Sequence, residues 1–277
     1  MKLLRYGPAG SEKPGLLDAD GKIRDLSAHL PDLTAERLGD LTALTKLDPK
    51  SLPLVDGTPR IGIPLAGIRQ CVAIGLNYRK HAIEANLPIP EEPVIFFKAI
   101  TSLSGPNDDI VLPPKSQATD WEIELAIVMA RTARRVSKEQ ALEYVAGYTI
   151  ANDVSERDWQ IKRGGQWSKG KSFDSFCPLG PWLVTRDELP NPQTMNVELK
   201  VNGVVKQASN TEDMIFNCAH IVSYVSQFMT LLPGDVIITG TPGGVGVARK
   251  PPESLRAGDT VQLKIAQLGE QTQRVRA

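Results

Sequence analysis

An apolar run carrying two carboxylates places the strongest constraint on this chain. Residues 120–128 read Asp-Trp-Glu-Ile-Glu-Leu-Ala-Ile-Val, with Glu122 and Glu124 one residue apart. In an extended strand the two carboxylates share one face, and Ile123, Leu125 and Ile127 share the other. Neighbouring anions repel each other, so they need either water or a divalent cation. By itself the run favours a solvated edge strand, because charged residues are mostly exposed.

The composition is that of an ordinary globular protein. The 277 residues are 41% hydrophobic and 23% charged, and 32 basic residues balance 32 acidic ones. This balance provides no global field for nucleic acid or a membrane surface. No window resembles a membrane span or a signal peptide, so we expect a cytoplasmic protein. The three cysteines form no Cys-x-x-Cys pair, which argues against a zinc ribbon or a disulfide framework.

Turn residues divide the chain into many short elements. With 23 glycines, 21 prolines and few aromatic residues, the sequence indicates a β-rich fold. Residues 1–66 read as a small unit of short strands and weak helical patches, which ends in a proline-punctuated linker. Residues 67–277 read as the main domain. Asn202-Gly203 predicts a hairpin, and apolar residues at helical spacing over 214–229 predict one long amphipathic helix.

Three further segments carry polar or glycine-rich motifs that predict local structure. A capping box at Ser137 predicts a helix that reaches about residue 145. The strand predicted over 236–239 leads into a glycine-rich loop, 240–246, whose backbone amides are suited to hold an anion. Asn77 could cap a short helix that carries His81 and Glu84 at positions i and i+3. Prolines bound this helix, so it could act as a lid.

Each polar candidate also has an ordinary structural interpretation. His81 beside Glu84 fits a general base with its orienting carboxylate, or a surface pair. Asp153 closes a predicted strand and could simply stabilise the next helix start. Arg157 on that helix could grip a carboxylate through its planar fork. Lys171 falls in Gly170-Lys171-Ser172, which matches P-loop spacing formally but lacks the preceding strand and the following helix.

Taken together, the motifs resemble the fumarylacetoacetate hydrolase superfamily over residues 70 to 270. The matching motifs are Gly-Leu-Asn-Tyr-x-x-His-x-x-Glu (75–84), Glu122-Ile-Glu124, Asn152-Asp153-Val154, Lys171-Ser-Phe-Asp and Thr239-Gly-Thr241-Pro242. The resemblance implies a β-rich α+β fold, with a mixed β-sandwich roll behind a small N-terminal α/β domain. It also implies a homodimer.

The resemblance further implies a role for each candidate residue. Mg²⁺ or Mn²⁺ would be bound by Glu122, Glu124 and Asp153, a donor set that suits a hard cation. The implied catalytic residues are His81, Glu84 and Lys171. The implied substrate-binding residues are Tyr78, Arg157, Gln160 and Thr241.

These roles predict a metal-dependent hydrolase that cleaves the C3–C4 bond of a 2,4-dioxo acid. The substrate would be a small 2-oxo acid, either an acylpyruvate or a 2,4-dioxo-3-deoxy sugar acid, and the products would be pyruvate and an acid. Ureidoglycolate lyase, or a hydratase, decarboxylase or isomerase of oxo acids, is the alternative within the superfamily. A non-catalytic β module holding a structural Ca²⁺ is the alternative of another class. It would explain the three carboxylates but not the His81–Glu84 pair or Lys171.

Overall fold

The computed structural model describes residues 1–277 and is built mainly of strands. The strands are β1 Lys2–Tyr6, β2 Lys13–Leu17, β3 Ile23–Asp25, β4 Cys71–Gly75, β5 Val94–Lys98, β6 Leu103–Ser104, β7 Ile110–Val111, β8 Thr119–Asp120, β9 Ile123–Met129, β10 Val145–Asn152, β11 Ser155–Glu156, β12 Cys177–Thr185, β13 Asn196–Val201, β14 Val204–Asn210, β15 Val236–Ile238, β16 Thr260–Ile265 and β17 Gly269–Arg276. The α-helices are α1 Thr42–Thr45, α2 Arg79–Glu84, α3 Arg157–Ile161, α4 Ser168–Lys171 and α5 Cys218–Phe228. None of these helices has the length and apolar character needed to cross a membrane.

Two large sheets form the body of the molecule. The larger is mixed and has ten strands, nine of them in the order β3-β2-β1-β12-β10-β9-β15-β4-β5, with β6 added beside β12. The second has five strands in the order β14-β13-β16-β17-β7. Strand β15 runs parallel to β4 but antiparallel to β9. This mixed, mostly β architecture confirms the predicted fold class.

Strand β9 lies in the middle of the large sheet and is buried on both faces. Ile123, Leu125 and Ile127 join a core of 37 residues that also contains the apolar side chains of β13 and β16. Ala126 and Val128 face the other way, into a core of 23 residues. The predicted alternation is therefore confirmed. A solvated edge strand is wrong, because both sheet neighbours and both cores exclude water from this segment.

The N-terminal strands continue the large sheet. Strand β1 pairs antiparallel with β12, with Lys2 opposite Val184 and Leu3 opposite Leu183. Leu3 and Leu26 enter the same 23-residue core as Val128 on β9. The first strands thus support the face of β9 that carries the even-numbered residues. The domain boundary near residue 66 stays a prediction.

Of three predictions about a turn and two helices, two are confirmed and one is wrong. The Asn202-Gly203 hairpin is confirmed, and both residues adopt the positive φ that a tight turn requires. The amphipathic helix forms as α5, where the Asn217 side chain accepts a hydrogen bond of 2.9 Å from the His220 amide. The helix predicted from Ser137 is wrong. Only a 3-10 turn forms, Ala141–Tyr144, because β10 begins at the next residue.

Candidate active site

A cavity of about 460 Å³ brings most of the predicted site residues together. Its lining includes eight of the ten: His81, Glu84, Glu122, Glu124, Arg157, Gln160, Lys171 and Thr241. The other two are Asp153, which groups with the two glutamates, and Tyr78, which the structure places elsewhere. The charged groups thus converge on one cavity from segments far apart in the chain.

Three buried carboxylates form the floor of this cavity. Glu122, Glu124 and Asp153 each offer an oxygen, and these oxygens all lie within 4.8 Å of one another. The register of the large sheet explains the grouping, because β10 pairs antiparallel with β9 and sets Ala151 opposite Glu124. Asp153 follows β10 directly, and its amide donates a hydrogen bond of 2.8 Å to the carbonyl of Glu122. Two adjacent strands therefore deliver all three side chains.

Two buried lysines each contact one oxygen of the Asp153 carboxylate. Lys171 on α4 places its Nζ 2.7 Å from Glu122 Oε2 and 2.6 Å from Asp153 Oδ2. Lys98 at the end of β5 places its Nζ 2.5 Å from Asp153 Oδ1. Its ammonium also donates to the backbone carbonyl of Lys171. Lys98 thus contacts both a floor carboxylate and the segment that carries Lys171.

A glycine allows α4 to come close enough for this contact. A Cβ on Gly170 would lie 2.5 Å from both the Gln160 nitrogen and the Glu156 carbonyl oxygen. No side chain fits at such distances, so only glycine lets α4 pack directly against α3. This close packing places Lys171, the next residue, over the floor carboxylates.

Arg157 is fixed between two acidic groups at the edge of the floor. Its Nη2 lies 2.6 Å from Glu122 Oε1 and 2.7 Å from Asp120 Oδ2, and its Nε donates to Asp120 at 2.8 Å. Its Nη1 donates to Gln160 Oε1 at 2.9 Å. The guanidinium is therefore oriented before any ligand arrives.

The floor carboxylates differ in their electrostatic balance. Burial alone would raise the pKa of Glu122, but the charges of Lys171 and Arg157 outweigh burial and lower it to about 2. The pKa of Glu124 is raised well above its usual value by burial, and then by the charges of Asp153 and Glu122. The Gly240 amide donates a hydrogen bond of 2.7 Å to the Glu124 carboxylate, and no lysine or arginine is paired with Glu124. Glu124 thus lacks a cationic partner.

The His81–Glu84 pair lies at another part of the lining, on α2. His81 Nδ1 lies 3.5 Å from Glu84 Oε2, and Glu84 also accepts hydrogen bonds from the Gly244 amide. The proximity of the His81 imidazole is the main cause that lowers the pKa of Glu84. The carboxylate is therefore ionised and held beside the imidazole.

Asn77 does not cap this helix, contrary to the prediction. Tyr78 occupies the capping position without a side-chain hydrogen bond, and the Asn77 side chain is fully buried. Its amide donates to the carbonyls of Phe216 and Thr239, and its oxygen accepts from the Phe216 amide. Asn77 thus ties the start of α2 to the segments next to α5 and β15.

The glycine-rich loop 240–246 holds anions, but they are the protein's own carboxylates. The amides of Gly240, Gly244 and Gly246 donate to Glu124, Glu84 and Asp120 respectively. In the same loop the Thr241 hydroxyl donates to the Ile123 carbonyl at 2.9 Å and accepts from Gln207. The loop therefore fixes three acidic side chains around one cavity.

Tyr78 is the predicted site residue that the structure does not bring to the cavity. Its side chain is fully buried, and its hydroxyl has no hydrogen-bond partner. Burial, followed by the charge of Glu124, raises the pKa of Tyr78 well above its usual value. The ring packs in the 37-residue core, so a role in contacting substrate stays a prediction.

Sequence reasoning missed two charged residues of the site, Lys98 and Asp120. Both are almost completely buried, and both contact residues of the floor or its edge. A signal was present for Asp120, because it lies two residues before Glu122 and so has the same strand parity. Lys98 ends an apolar strand, a common position for an exposed lysine, so its pattern gave no comparable signal.

The family assignment follows from comparison with known proteins. Residues 70–276 match the family described as fumarylacetoacetate (FAA) hydrolase C-terminal, so the chain belongs to that family and is an enzyme. The alternative of a non-catalytic calcium-binding module is therefore wrong.

Individual relatives share the whole length of the chain. It is 56% identical over 276 residues to a 2,4-didehydro-3-deoxy-L-rhamnonate hydrolase of Sphingomonas sp. strain SKA58, covering 99% of this chain and 96% of that protein. The fumarylacetoacetate hydrolase of Exiguobacterium antarcticum superposes with a TM-score of 0.91 at 36% identity, over 100% and 99% of the two chains. The maleylpyruvate hydrolase of Sphingobium sp. SYK-6, solved with manganese(II) and pyruvate, superposes with a TM-score of 0.82 at 29% identity over the same shares.

Proposed function

We propose that this enzyme hydrolyses the C3–C4 bond of a 2,4-dioxo acid and releases pyruvate and a carboxylic acid. The observation that carries the proposal is Glu124, a buried carboxylate with no cationic partner beside Glu122 and Asp153. A carbon–carbon hydrolase of this kind needs positive charge where an enolate develops and a base that activates water. The floor could hold the positive charge as a bound cation, and the His81–Glu84 pair could provide the base.

The floor fits a divalent cation on charge and donor type. Five acidic residues (Asp120, Glu122, Glu124, Asp153 and Glu84) face three buried cations (Lys98, Arg157 and Lys171), which leaves two negative charges when all are ionised. An all-oxygen donor set suits Mg²⁺ or Mn²⁺. When bound, the cation would supply positive charge that polarises the 2-oxo group and stabilises the pyruvate enolate.

His81 acts as the general base in this mechanism. It removes a proton from a water molecule, and Glu84, fixed by the Gly244 amide, orients the imidazole and stabilises its positive charge. The resulting hydroxide attacks C4, and the C3–C4 electron pair passes to C3 as the enolate. A proton returned to C3 completes pyruvate, and the C4 fragment leaves as a carboxylic acid.

Cations and polar groups of the protein position the substrate against the floor. Lys171 places positive charge beside Glu122 and Asp153, where the enolate oxygen develops. Arg157 and Gln160 form a rigid pair that would orient the substrate carboxylate. The Thr241 hydroxyl, held by Gln207 and Ile123, would contact the substrate at the same edge.

The substrate class is a 2,4-dioxo-3-deoxy sugar acid or a simple acylpyruvate. The whole-chain similarity to a 2,4-didehydro-3-deoxy-L-rhamnonate hydrolase supports the sugar acid. The pyruvate in the Sphingobium maleylpyruvate hydrolase supports a pyruvoyl group at the metal end.

We also propose that the enzyme acts as a homodimer, and its molar mass in solution would test this.

The proposal is tested by product analysis with metal-stripped protein. We expect no turnover after chelation, and we expect pyruvate from acetylpyruvate or a 2,4-dioxo-3-deoxy sugar acid once Mg²⁺ or Mn²⁺ is restored. Ureidoglycolate and oxaloacetate serve as comparison substrates, because they would release urea or CO₂. Release of urea or CO₂ without pyruvate formation from any 2,4-dioxo acid would reject the proposal.

A further inference from the structure

The cavity changes character away from its carboxylate floor. Its remaining wall is mostly apolar and includes Leu76, Leu87, Phe96, Ile161, Trp167 and Val247. This wall begins directly beside the floor, since Lys171 Nζ lies 5.0 Å from the centroid of the Phe96 ring. Phe96 in turn contacts Trp167 edge to face, with ring centroids 5.5 Å apart. A substrate held at the floor would extend its tail along this wall.

Trp167 reaches this position because the facing strand ends in glycine. A Cβ on Gly75 would lie 2.4 Å from the indole Cζ3 of Trp167. The absence of a side chain there lets the indole pack on the end of β4 and narrow the cavity. Trp167, a residue of the apolar wall, is thus packed directly against the backbone at the end of β4.

One lysine and one arginine, Lys171 and Arg157, line the cavity, and both are already paired with carboxylates. Lys171 contacts Glu122 and Asp153, and Arg157 contacts Asp120 and Glu122. Two cations next to Ile161, Lys162 and Arg163, lie outside the lining and have partners of their own. Lys162 lies 2.8 Å from Asp158, and the Arg163 guanidinium lies 4.0 Å from the Trp159 ring. The cavity lining therefore contains no unpaired lysine or arginine that a substrate tail could contact.

An anionic group on α2, Glu84, also lines the cavity. The pKa of Glu84 is lowered, first by the nearby His81 imidazole, so the group carries a negative charge at neutral pH. A second substrate carboxylate would meet this charge and an apolar surface. Burying an unpaired carboxylate is costly, because its hydration is not replaced.

From these features we propose that the cavity selects 2,4-dioxo acids with an uncharged acyl tail and discriminates against dicarboxylates. This inference rests on the proposed function, since it assigns the substrate's first carboxylate to the floor. The apolar wall, which includes Phe96 and Ile161, is then the surface that determines substrate specificity. Alkyl or short hydroxyalkyl tails fit this wall, whereas a tail that ends in carboxylate does not.

Two substrates that differ only in the distal charge provide the test. One is a 2,4-dioxo dicarboxylate such as maleylpyruvate, and the other is the same acid with its distal carboxylate replaced by a primary amide. We expect kcat/KM for the amide to be at least about 100-fold higher, because a hydrophobic pocket already discriminates by about 100-fold against an added polar group and a charge is costlier to bury. Equal kcat/KM values for the two substrates would overturn the proposal.

A variant of the wall makes the test specific to this surface. Ile161 is 56% exposed, so Ile161→Lys should fold and would add a cation beside the tail. We expect kcat/KM for the dicarboxylate to be about tenfold higher in Ile161→Lys than in Ile161→Gln, which is polar but uncharged, because only the lysine offers a charge-assisted hydrogen bond. An equal gain in both variants, or a gain in neither, would contradict the assignment of this wall.

Binding measurements separate failure of this inference from failure of the proposed function. Calorimetry on Mg²⁺-loaded His81→Ala protein gives Kd for the amide and the dicarboxylate while cleavage is suppressed by the loss of the proposed base. If neither is cleaved by the wild type, the proposed hydrolysis fails, and a Kd ratio of at least about 100 would still support the selectivity. Equal dissociation constants would overturn the selectivity even if both substrates release pyruvate.

Discussion

Glu84 accepts a hydrogen bond of 2.9 Å from the backbone amide of Gly244, which joins α2 to the glycine-rich loop. The same loop donates from Gly240 to Glu124 on the cavity floor, at 2.7 Å. One loop therefore fixes both the carboxylate that orients His81 and the carboxylate that lacks a cation. The distance between the water-activating group and the floor depends on this loop.

Replacing the proposed base should slow catalysis without weakening metal binding. We expect His81→Ala to lower kcat by about 10²–10⁴-fold, the usual contribution of a general base. Calorimetry should give the same metal affinity as the wild type, because His81 is not one of the three floor ligands. His220→Ala is the matched control, since His220 stacks between Phe216 and Tyr224 on α5. Unchanged kcat in His81→Ala would remove the residue from the mechanism.

Neutralising the orienting carboxylate should have a smaller effect than removing the base. In Glu84→Gln the side chain can still accept from the Gly244 amide, but it no longer stabilises a positive charge on His81. We expect kcat to fall about tenfold with little change in KM, as for loss of one charge-assisted hydrogen bond. The acidic limb of the pH–rate profile reports the change, because the proposed base must be unprotonated to act, and a fall in kcat/KM caused by KM alone would contradict this role.

The metal-free protein should lose stability as the pH rises. The folded-state pKa of Glu124 is raised above its ordinary value of 4.5, so the folded state binds more protons than the unfolded state above that pH. The free energy of unfolding therefore decreases as pH rises through this range. Urea unfolding of chelated protein between about pH 5 and about pH 8 measures the decrease.

Glu124→Gln is the variant that isolates this effect. It should remove most of the pH dependence, because the amide does not ionise, and added Mg²⁺ should stabilise the wild type far more than the variant. An equal pH slope in the two chelated proteins would show that Glu124 is not the group responsible.

Lys98 should be important for stability although it does not line the cavity. Its side chain is fully buried and contacts Asp153 at 2.5 Å, so Lys98→Met leaves a buried carboxylate with one cation fewer. We expect a loss of about 3–5 kcal/mol in the free energy of unfolding. Lys162→Met is the control, because its 75% exposed side chain pairs with Asp158 at the surface and should matter by less than about 1 kcal/mol. Equal losses would refute a special role for Lys98.

Much of the candidate site was predictable because short-range periodicity determines it. The alternation over 120–128 put Glu122 and Glu124 on one face, and the structure gives that face a buried floor. The fold class and the Asn202-Gly203 hairpin also follow from local patterns. The family motifs then indicated that His81, Asp153 and Lys171 would converge.

The remaining features depend on contacts between distant segments, which a local pattern does not contain. Whether a charged side chain at a strand end is buried depends on what packs over it, as α4 does over Lys98. Likewise, Asn77 has the composition of a helix cap, but it serves partners near residues 216 and 239. The glycine-rich loop was correctly predicted to bind anions, but only the fold identifies them as Glu84, Asp120 and Glu124.

The most direct test of the account is isotope tracing during a single turnover in H₂¹⁸O with Mg²⁺. Water activated by His81 attacks C4, so mass spectrometry should find one ¹⁸O in the carboxylate of the released acid and none in the carboxylate of pyruvate. Chelated protein should release neither product. Release of pyruvate with no ¹⁸O in the accompanying acid would contradict hydrolysis at C4 and with it the central claim.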